Sequence, residues 1–431
     1  MIFRVSLYFP GLLLAINTCV AADFGITAFQ RSGMLFWANG FPNGVCAIDT
    51  ALSAAGPWQP GNGFYTSNSV GQTQVPLTSG GGYFRLWAAD VSGTPGGFTN
   101  LVNAYGVIRT IAGLGEFGTD LVNYWDPSYE GGPATNANLS RPHMAMADPA
   151  GNVYIADKNS HSILKVTTDG TIHTVAGNHT GGYNGDGPDL GTNLRLNFPN
   201  GLWVRNDGTV YILDTDNGRV RRLATNGVMT TLFTVGGTNG ISVGRGLWVK
   251  DDESLVYFCA GTKLKKWTPG SGVKNINTSF VDLGNLIVDP QGQLVVTDRG
   301  ANFVYRVNAT TGALTVIAGD GSTSNGGDGF PALNTGLYGV RGVWFLPNGG
   351  YLLATHEGSR IWYVDTAGII HLFVDGAPYW HTGDGDWFHS PGYKVSEPRS
   401  VTLDPQGNIL IVENDTGYVR MISFTRMPPS Q

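Results

Sequence analysis

From about residue 140 onward, short apolar runs rich in Val, Ile, Leu and aromatic residues alternate with polar turns. The clearest unit is PHMAMADPAGNVYIADKNSHSILKVTTDGTIHTVAG, residues 142–177. It holds four strand-like runs, 144–148, 153–157, 162–166 and 171–177, separated by PAGN, KNSH and TTDG. Apolar runs of this length bounded by Gly, Asn and Asp predict β-strands joined by tight turns. A second copy opens at Pro199 with PNGLWVRNDGTVYILDTDNGRVRRL, and others start near Gly244, Leu283, Val340 and Pro398. Recurrence of one four-strand unit is the sequence mark of a repeat architecture.

The copy at Pro398 lacks its fourth strand, because the chain runs out in TRMPPSQ after Met421-Ile422. A matching strand lies upstream: GVIRTIAG (106–113) parallels GTIHTVAG (170–177) and GALTVIAG (312–319). An N-terminal strand that completes the last unit would close the array into a ring without exposed edges. The expectation is an all-β fold, a six-bladed β-propeller over 106–424, closed by that strand.

The repeats resemble the NHL family. The resemblance rests on D-P-x-G-N-x-Y-I-A-D at 148–157, N-x-H-x-I at 159–163, and the inter-repeat segments GGPATNANLSRP (131–142) and GGDGFPALNTGL (326–337). It implies a propeller of the TolB-like, NHL type. It does not imply one activity, since such rings serve as enzymes, sensors and scaffolds.

Ahead of the ring, ITAFQRSGMLFWANGF, VCAIDTAL and GGYFRLWAADV suggest several short strands. Residues 23–91 read as a small β-sandwich loosely similar to fibronectin type III, 92–105 as a linker, and 425–431 as a tail. Residues 1–22 read as a secretory signal: Arg4, an apolar Leu7–Ile16 stretch, and the small residues Val20-Ala21-Ala22 before cleavage. No later stretch has the ~18 apolar residues of a membrane span. The expected location is secreted or periplasmic. Cys46 and Cys259 remain after cleavage and fall in different units, so no disulfide framework is expected. Gly accounts for 63 of 431 residues and charged residues for only 13%, which suits many strands and turns. The formal charge of −6 argues against nucleic acid as partner.

Propeller connectivity places the second-to-third turns and the segments between repeats on one face. Four of those segments are long: 114–141, 178–198, 320–339 and 377–397. Loops of this length are commonly functional. Three groups of candidates follow. The residue entering each first strand is His143, Asn200, Arg245, Gly284, Arg341 or Arg399; the arginines suit a carboxylate or phosphate, or pair with loop aspartates. Gly-Asp-Gly elements supply Asp186, Asp328 and Asp384, as turn formers or oxygen ligands for a metal. The loop PYWHTGDGDWFHSPGY carries Trp380, His381, Asp384, Asp386, Trp387 and His389, fitting either ring stacking or a metal. Tyr124 and Trp125 share that ambiguity. Trp203, Trp248 and Trp344 read as core between blades, and Asp157, Asp214 and Asp298 as turn ties.

Amidating-lyase propellers, to which the repeat is similar, hold zinc with three histidines in Pro-His contexts. Here only Pro142-His143 matches, so that triad is not present. The leading expectation is therefore a binding or scaffold protein without cofactor, using the insertion face for an extracellular glycan, peptide or protein. The alternative is a metal- or arginine-assisted lyase or hydrolase, lactonase-like, with Ca or Zn at the channel mouth. Oligomeric state is left open.

Overall fold

A computed structural model describes residues 3–8, 25–75, 82–115, 121–236, 241 and 244–426. From residue 142 the chain forms antiparallel sheets in sequence, each built from consecutive strands. The first sheet comprises 142–147, 153–157, 162–166 and 172–176. The second runs from 199–204 to 228–234 and gains an outer strand at 189–190; the third spans 247–249 to 272–277. The fourth opens at 283–288, the fifth at 340–345 and the sixth at 398–403. The sixth ends on 108–112, which pairs with 418–422 through Ile108↔Ile422 and Val419↔Ala112. Each first strand packs on the first strand of the next sheet, and 398–403 returns to 142–147. The six sheets thus form a closed ring around an axis, a propeller-type fold.

Second strands are buried on both faces, as in VYIAD (153–157) and ILIVE (409–413). That is why they read as continuous apolar runs: each sheet is sandwiched between two neighbours. The short first strand of the third sheet begins at Leu247 rather than at Gly244.

Ahead of the ring lie two sheets. One is ordered 3–8, 83–90, 44–51, 63–66; the other 25–29, 34–38, 71–74. Leu35 and Trp37 from the second meet Cys46, Phe84 and Leu86 from the first in a shared core. Of the stretch expected as a signal, Phe3–Tyr8 pairs with Tyr83–Asp90, while 1–2 and 9–24 lie outside the described residues. Among the described residues no helix is long and apolar enough to cross a membrane. Cys46 and Cys259 are both buried and free.

The expected linker is not a free tether. Gly97–Ala104 is an α-helix whose Leu101, Val102 and Ala104 are buried. Apolar residues three and four apart (Phe98, Leu101, Val102) give it one sticky face. That face joins Val45, Trp87, Leu352, Phe373 and Ile411 in a core continuous with the fifth and sixth sheets. Tyr105 is its centre: fully buried, stacked on Phe424 at 4.6 Å, and bonded through its hydroxyl to Tyr65 (3.0 Å) and the Gly407 carbonyl (3.1 Å). Asn348 Nδ2 donates to Val91 O (3.0 Å) and Gly93 N to Thr366 Oγ1 (2.8 Å). The module therefore docks on the opposite face, that of the first-to-second turns, through turns of the last two sheets.

Tyr105→Ala should cost about 3–5 kcal/mol, the usual penalty for emptying a large aromatic site. Tyr105→Phe should cost only about 1–2 kcal/mol, the hydroxyl's hydrogen bonds. Urea melts of the two variants check the ratio; equal small losses would mean that the module is only loosely attached.

Candidate functional site

The rim of the axial channel on the insertion face is built by a device repeated around the ring. In four sheets the acid ending the second strand accepts a backbone N–H from the segment entering the first strand. Asp157 takes Ser140 N (2.7 Å), Asp214 takes Asn197 N (2.8 Å), Asp298 takes Val281 N and Asp282 N (2.9 Å each), and Glu413 takes Ser396 N (3.3 Å). These acids are essentially fully buried. Just beyond, the chain turns through the left-handed region at Arg141 (φ 60°), Phe198 (φ 50°) and Glu397 (φ 44°), and the fifth sheet, whose second strand ends on Thr355 instead of an acid, takes the same step at Gly339 (φ 65°). Non-glycine residues adopt that conformation only when their surroundings enforce it.

A β-bulge follows immediately. Pairing steps from Pro142 to Met144, from Pro199 to Gly201, from Val340 to Gly342 and from Pro398 to Ser400. The residues skipped are His143, Asn200, Arg341 and Arg399. In the fourth sheet Gly284 and Asn285 are skipped together. A bulge leaves its extra residue out of the ladder and re-aims its side chain. Sequence singled out these positions but gave no sign of the bulge that presents them.

Their side chains meet one another. Arg399 Nη1 donates to His143 Nε2 (3.2 Å), and Arg399 Nη2 lies 3.5 Å from Asp415 Oδ1. Arg341 Nη2 lies 3.5 Å from Glu357 Oε1, which also takes Arg299 Nε (2.8 Å). Arg299 Nη1 reaches Asp282 Oδ2 (2.8 Å), and Arg245 Nη1 reaches Asp282 Oδ1 (3.4 Å). Arg141 also pairs with Asp415. The arginines do pair with carboxylates, but these come from second-to-third turns and Asp282, not from Gly-Asp-Gly loops. Five guanidiniums face Asp282, Glu357, Asp415 and Glu397, and burial pushes the Glu397 carboxyl up toward its neutral form.

Positive charge is therefore held under strain. Burial, with Arg245, Arg141 and Arg299 adding to it against Asp415, brings Arg399 down to about 9. Burial and the neighbouring Arg399, Arg245 and Arg299 hold Arg341 well below its ordinary range. His143 is likewise pushed well below its usual value, first by burial and then by Arg399 and Arg245. Arg399 can only donate to Nε2, so neutral His143 carries its proton on Nδ1, and that atom has no acceptor among the described residues. Arg341 Nε and Nη1, Arg399 Nε and Arg245 Nε are also buried donors without acceptors.

The other candidates disperse. Asp186 accepts from Thr231 Oγ1 (2.7 Å) and Arg219 Nε (2.9 Å); Asp328 accepts from Leu372 N (2.9 Å); Asp384 accepts from Thr110 N (2.9 Å) and Arg420 Nη2 (2.7 Å). Each fastens its loop to the fourth strand of the following sheet, as Glu130 does through Thr174 N (2.9 Å). His381 stacks on Tyr418 and bonds to Glu413 (3.2 Å), whereas His389 Nδ1 donates to Phe373 O (3.0 Å) within an aromatic cluster. Asp386 pairs with Lys394 (3.1 Å). Trp387 donates to Tyr105 O (3.2 Å) in the shared core, while Trp380 is half exposed beside Tyr393. Trp125 stacks on His179 at 4.6 Å, and Tyr124 N donates to Ser140 Oγ (2.8 Å), next to the rim.

Sequence reasoning missed Arg141, Asp282, Arg299, His356, Glu357, Glu397 and Asp415. A signal for the turn residues existed: His356-Glu357 and Asn414-Asp415 occupy the same two positions after their second strands. Among the described residues, ligand atoms of His356, Glu397 and Asp415 lie within 4.8 Å of one another. His143, His381 and His389 join no such group.

No protein-family profile matches the sequence, and no curated protein matches it. Solved structures do resemble it. A protein of unknown function from Bacteroides thetaiotaomicron superposes with a TM-score of 0.61 at 12% identity, covering 93% of this chain and 98% of that one. An auxiliary nutrient binding protein from Bacteroides ovatus gives 0.55 at 12% identity, over 90% and 93%. Another from Bacteroides thetaiotaomicron gives 0.53 at 13%, over 94% and 98%. At these identities the likeness is one of fold.

Asp157 supplies a pH test of the rim device. Burial lifts its carboxyl to about 7 against bonds from Ser160 and Ser140, and its Oδ2 has no partner. The folded value lies above the unfolded one, so the stability it contributes is full below about pH 4 and lost as pH rises through 7. Asp157→Asn keeps an acceptor for Ser140 and removes the titration. Urea melts at pH 5 and pH 8 should show the parent protein losing more stability across that interval than the variant. Equal losses would show that the carboxyl titrates normally.

Proposed function

We propose that this chain is an exported, six-bladed NHL-type propeller with a small sandwich module, acting as a binding protein. Its ligand is a carboxylate-bearing glycan or peptide held at the insertion-face mouth of the channel. One observation carries this reading: His143 Nδ1 and Arg341 Nε and Nη1 are buried donors without acceptors, amid guanidiniums whose charge is disfavoured by burial and by each other. An anion supplies acceptors and charge together, and charge-assisted bonds of this kind contribute about 1.5–3 kcal/mol each. Tyr124, Trp125 and Trp380 offer aromatic surface on the same face for the rest of the ligand. A ligand-binding role is in keeping with the auxiliary nutrient binding proteins that share the fold.

Calorimetry should compare uronic-acid oligosaccharides, their methyl esters, and peptides with free or amidated C-termini. The charged member of one pair should bind and its neutral form should not. Arg341→Gln should weaken binding about 10- to 150-fold, the loss of one charged hydrogen bond. Arg341→Lys should restore little, because a lysine lacks the guanidinium fork. Equal binding of charged and neutral forms would refute the reading.

His356, Glu397 and Asp415 favour a second reading, metal-assisted lysis or hydrolysis. Their mixed nitrogen and oxygen donors suit a divalent ion. Against it, Arg141 and Arg399 both address Asp415, and a dication would meet that positive charge at close range. Metal analysis of the purified protein after dialysis decides: stoichiometric metal supports this second reading, and none rejects it.

A further inference from the structure

At the opposite end of the channel, past the bulge, the first strands carry a second set of aligned residues: Trp203, Trp248, Ile287 and Trp344. Sequence placed the three tryptophans in core between sheets. Each does pack against those cores but is only partly buried, and all three line a cavity of about 720 Å³ on the turn face. Trp203 lies 6.2 Å from Trp248 and 6.2 Å from Trp344, ring centre to ring centre, tilted by 57° and 34°. The second and fifth sheets are opposite in the ring, so the Trp203–Trp344 contact spans the axis and closes the channel. The cavity is therefore separate from the arginine rim.

The polar groups around the indoles come from the first-to-second turns. Asn206 and Asp251 are exposed and make no hydrogen bond among the described residues; neither do the three indole N–H groups. Lys250 is occupied by Asp252 (2.9 Å) and Ser254 (3.2 Å). The walls thus offer aromatic faces, free donors on the indoles, one amide and one free carboxylate. With Trp203 against both Trp248 and Trp344, the indoles form one continuous aromatic platform. A platform edged with hydrogen-bonding groups matches a pyranose ring, whose C–H face is apolar and whose rim is hydroxyl. The free Asp251 carboxylate accepts hydroxyl hydrogens and repels acidic sugars.

We propose that this turn-face cavity is a binding site for a neutral sugar ring, stacked on Trp203, Trp248 and Trp344 and bonded by Asn206 and Asp251. It does not depend on the rim's function. The test is titration of the full chain with maltohexaose, cellohexaose, laminarihexaose and mannohexaose, followed by tryptophan emission and calorimetry. At least one should bind saturably with a change in emission. Trp248→Ala and, separately, the exposed Asp251→Ala should each weaken it about tenfold or more, while Arg341→Gln leaves it unchanged. Asp251→Ala keeps the test valid should Trp248→Ala fold poorly. The proposal falls if no neutral oligosaccharide binds, if binding survives both substitutions, or if only choline or an acidic oligosaccharide binds.

Discussion

A buried carboxylate reaching from the end of one strand to the backbone amide ahead of another is the contact on which the channel rim depends. Asp157, Asp214, Asp298 and Glu413 each make it. Burying an acid is costly unless hydrogen bonds satisfy it. Asp214 meets that cost with Asn197 N, Asn217 and the buried Arg221, and Glu413 with Ser396 N, Thr416 and Arg420. Removing one partner of such a pair costs about 3–5 kcal/mol, because the other is left charged and buried. In the first, second and sixth sheets the bonds hold the incoming chain through its left-handed step and into the bulge, so backbone geometry fixes where His143, Asn200 and Arg399 sit.

Much of the ring was legible in the sequence because strand pattern and turn chemistry are local signals. PAGN, TTDG and their counterparts mark turns, and the likeness of 106–113 to 170–177 revealed the closing strand. The bulges were not legible, since Pro-His-Met and Pro-Arg-Ser read as ordinary strand entries until the register is known. Nor was the helix at 97–104 docking its apolar face: Gly96-Gly97 looked like linker, and eight residues are too few for a clear period. The Gly-Asp-Gly aspartates were expected as turn formers or metal ligands; their bonds to Thr231, Leu372 and Thr110, 44 to 274 residues away, depend on a register that only the ring defines.

The two ends of the axis differ in chemistry. One mouth gathers five guanidiniums, two imidazoles and four carboxylates; the other presents indoles, an amide and a carboxylate. Trp203 and Trp344 meet across the channel between them, so a ligand at one end does not reach the other. The two N-terminal sheets and the helix take up the turn face at the fifth and sixth sheets, leaving the indole cavity open beside them. The same repeated strand serves both ends: its bulge residue builds the rim and its later indole the platform.

The most direct test of the rim is an experimental structure determined with a carboxylate ligand in excess. The account predicts an anion whose oxygens accept from His143 Nδ1 and the Arg341 guanidinium, with the four carboxylate-to-amide bonds intact. His143 and Arg341 bonded to other protein groups, with the anion elsewhere, would contradict it.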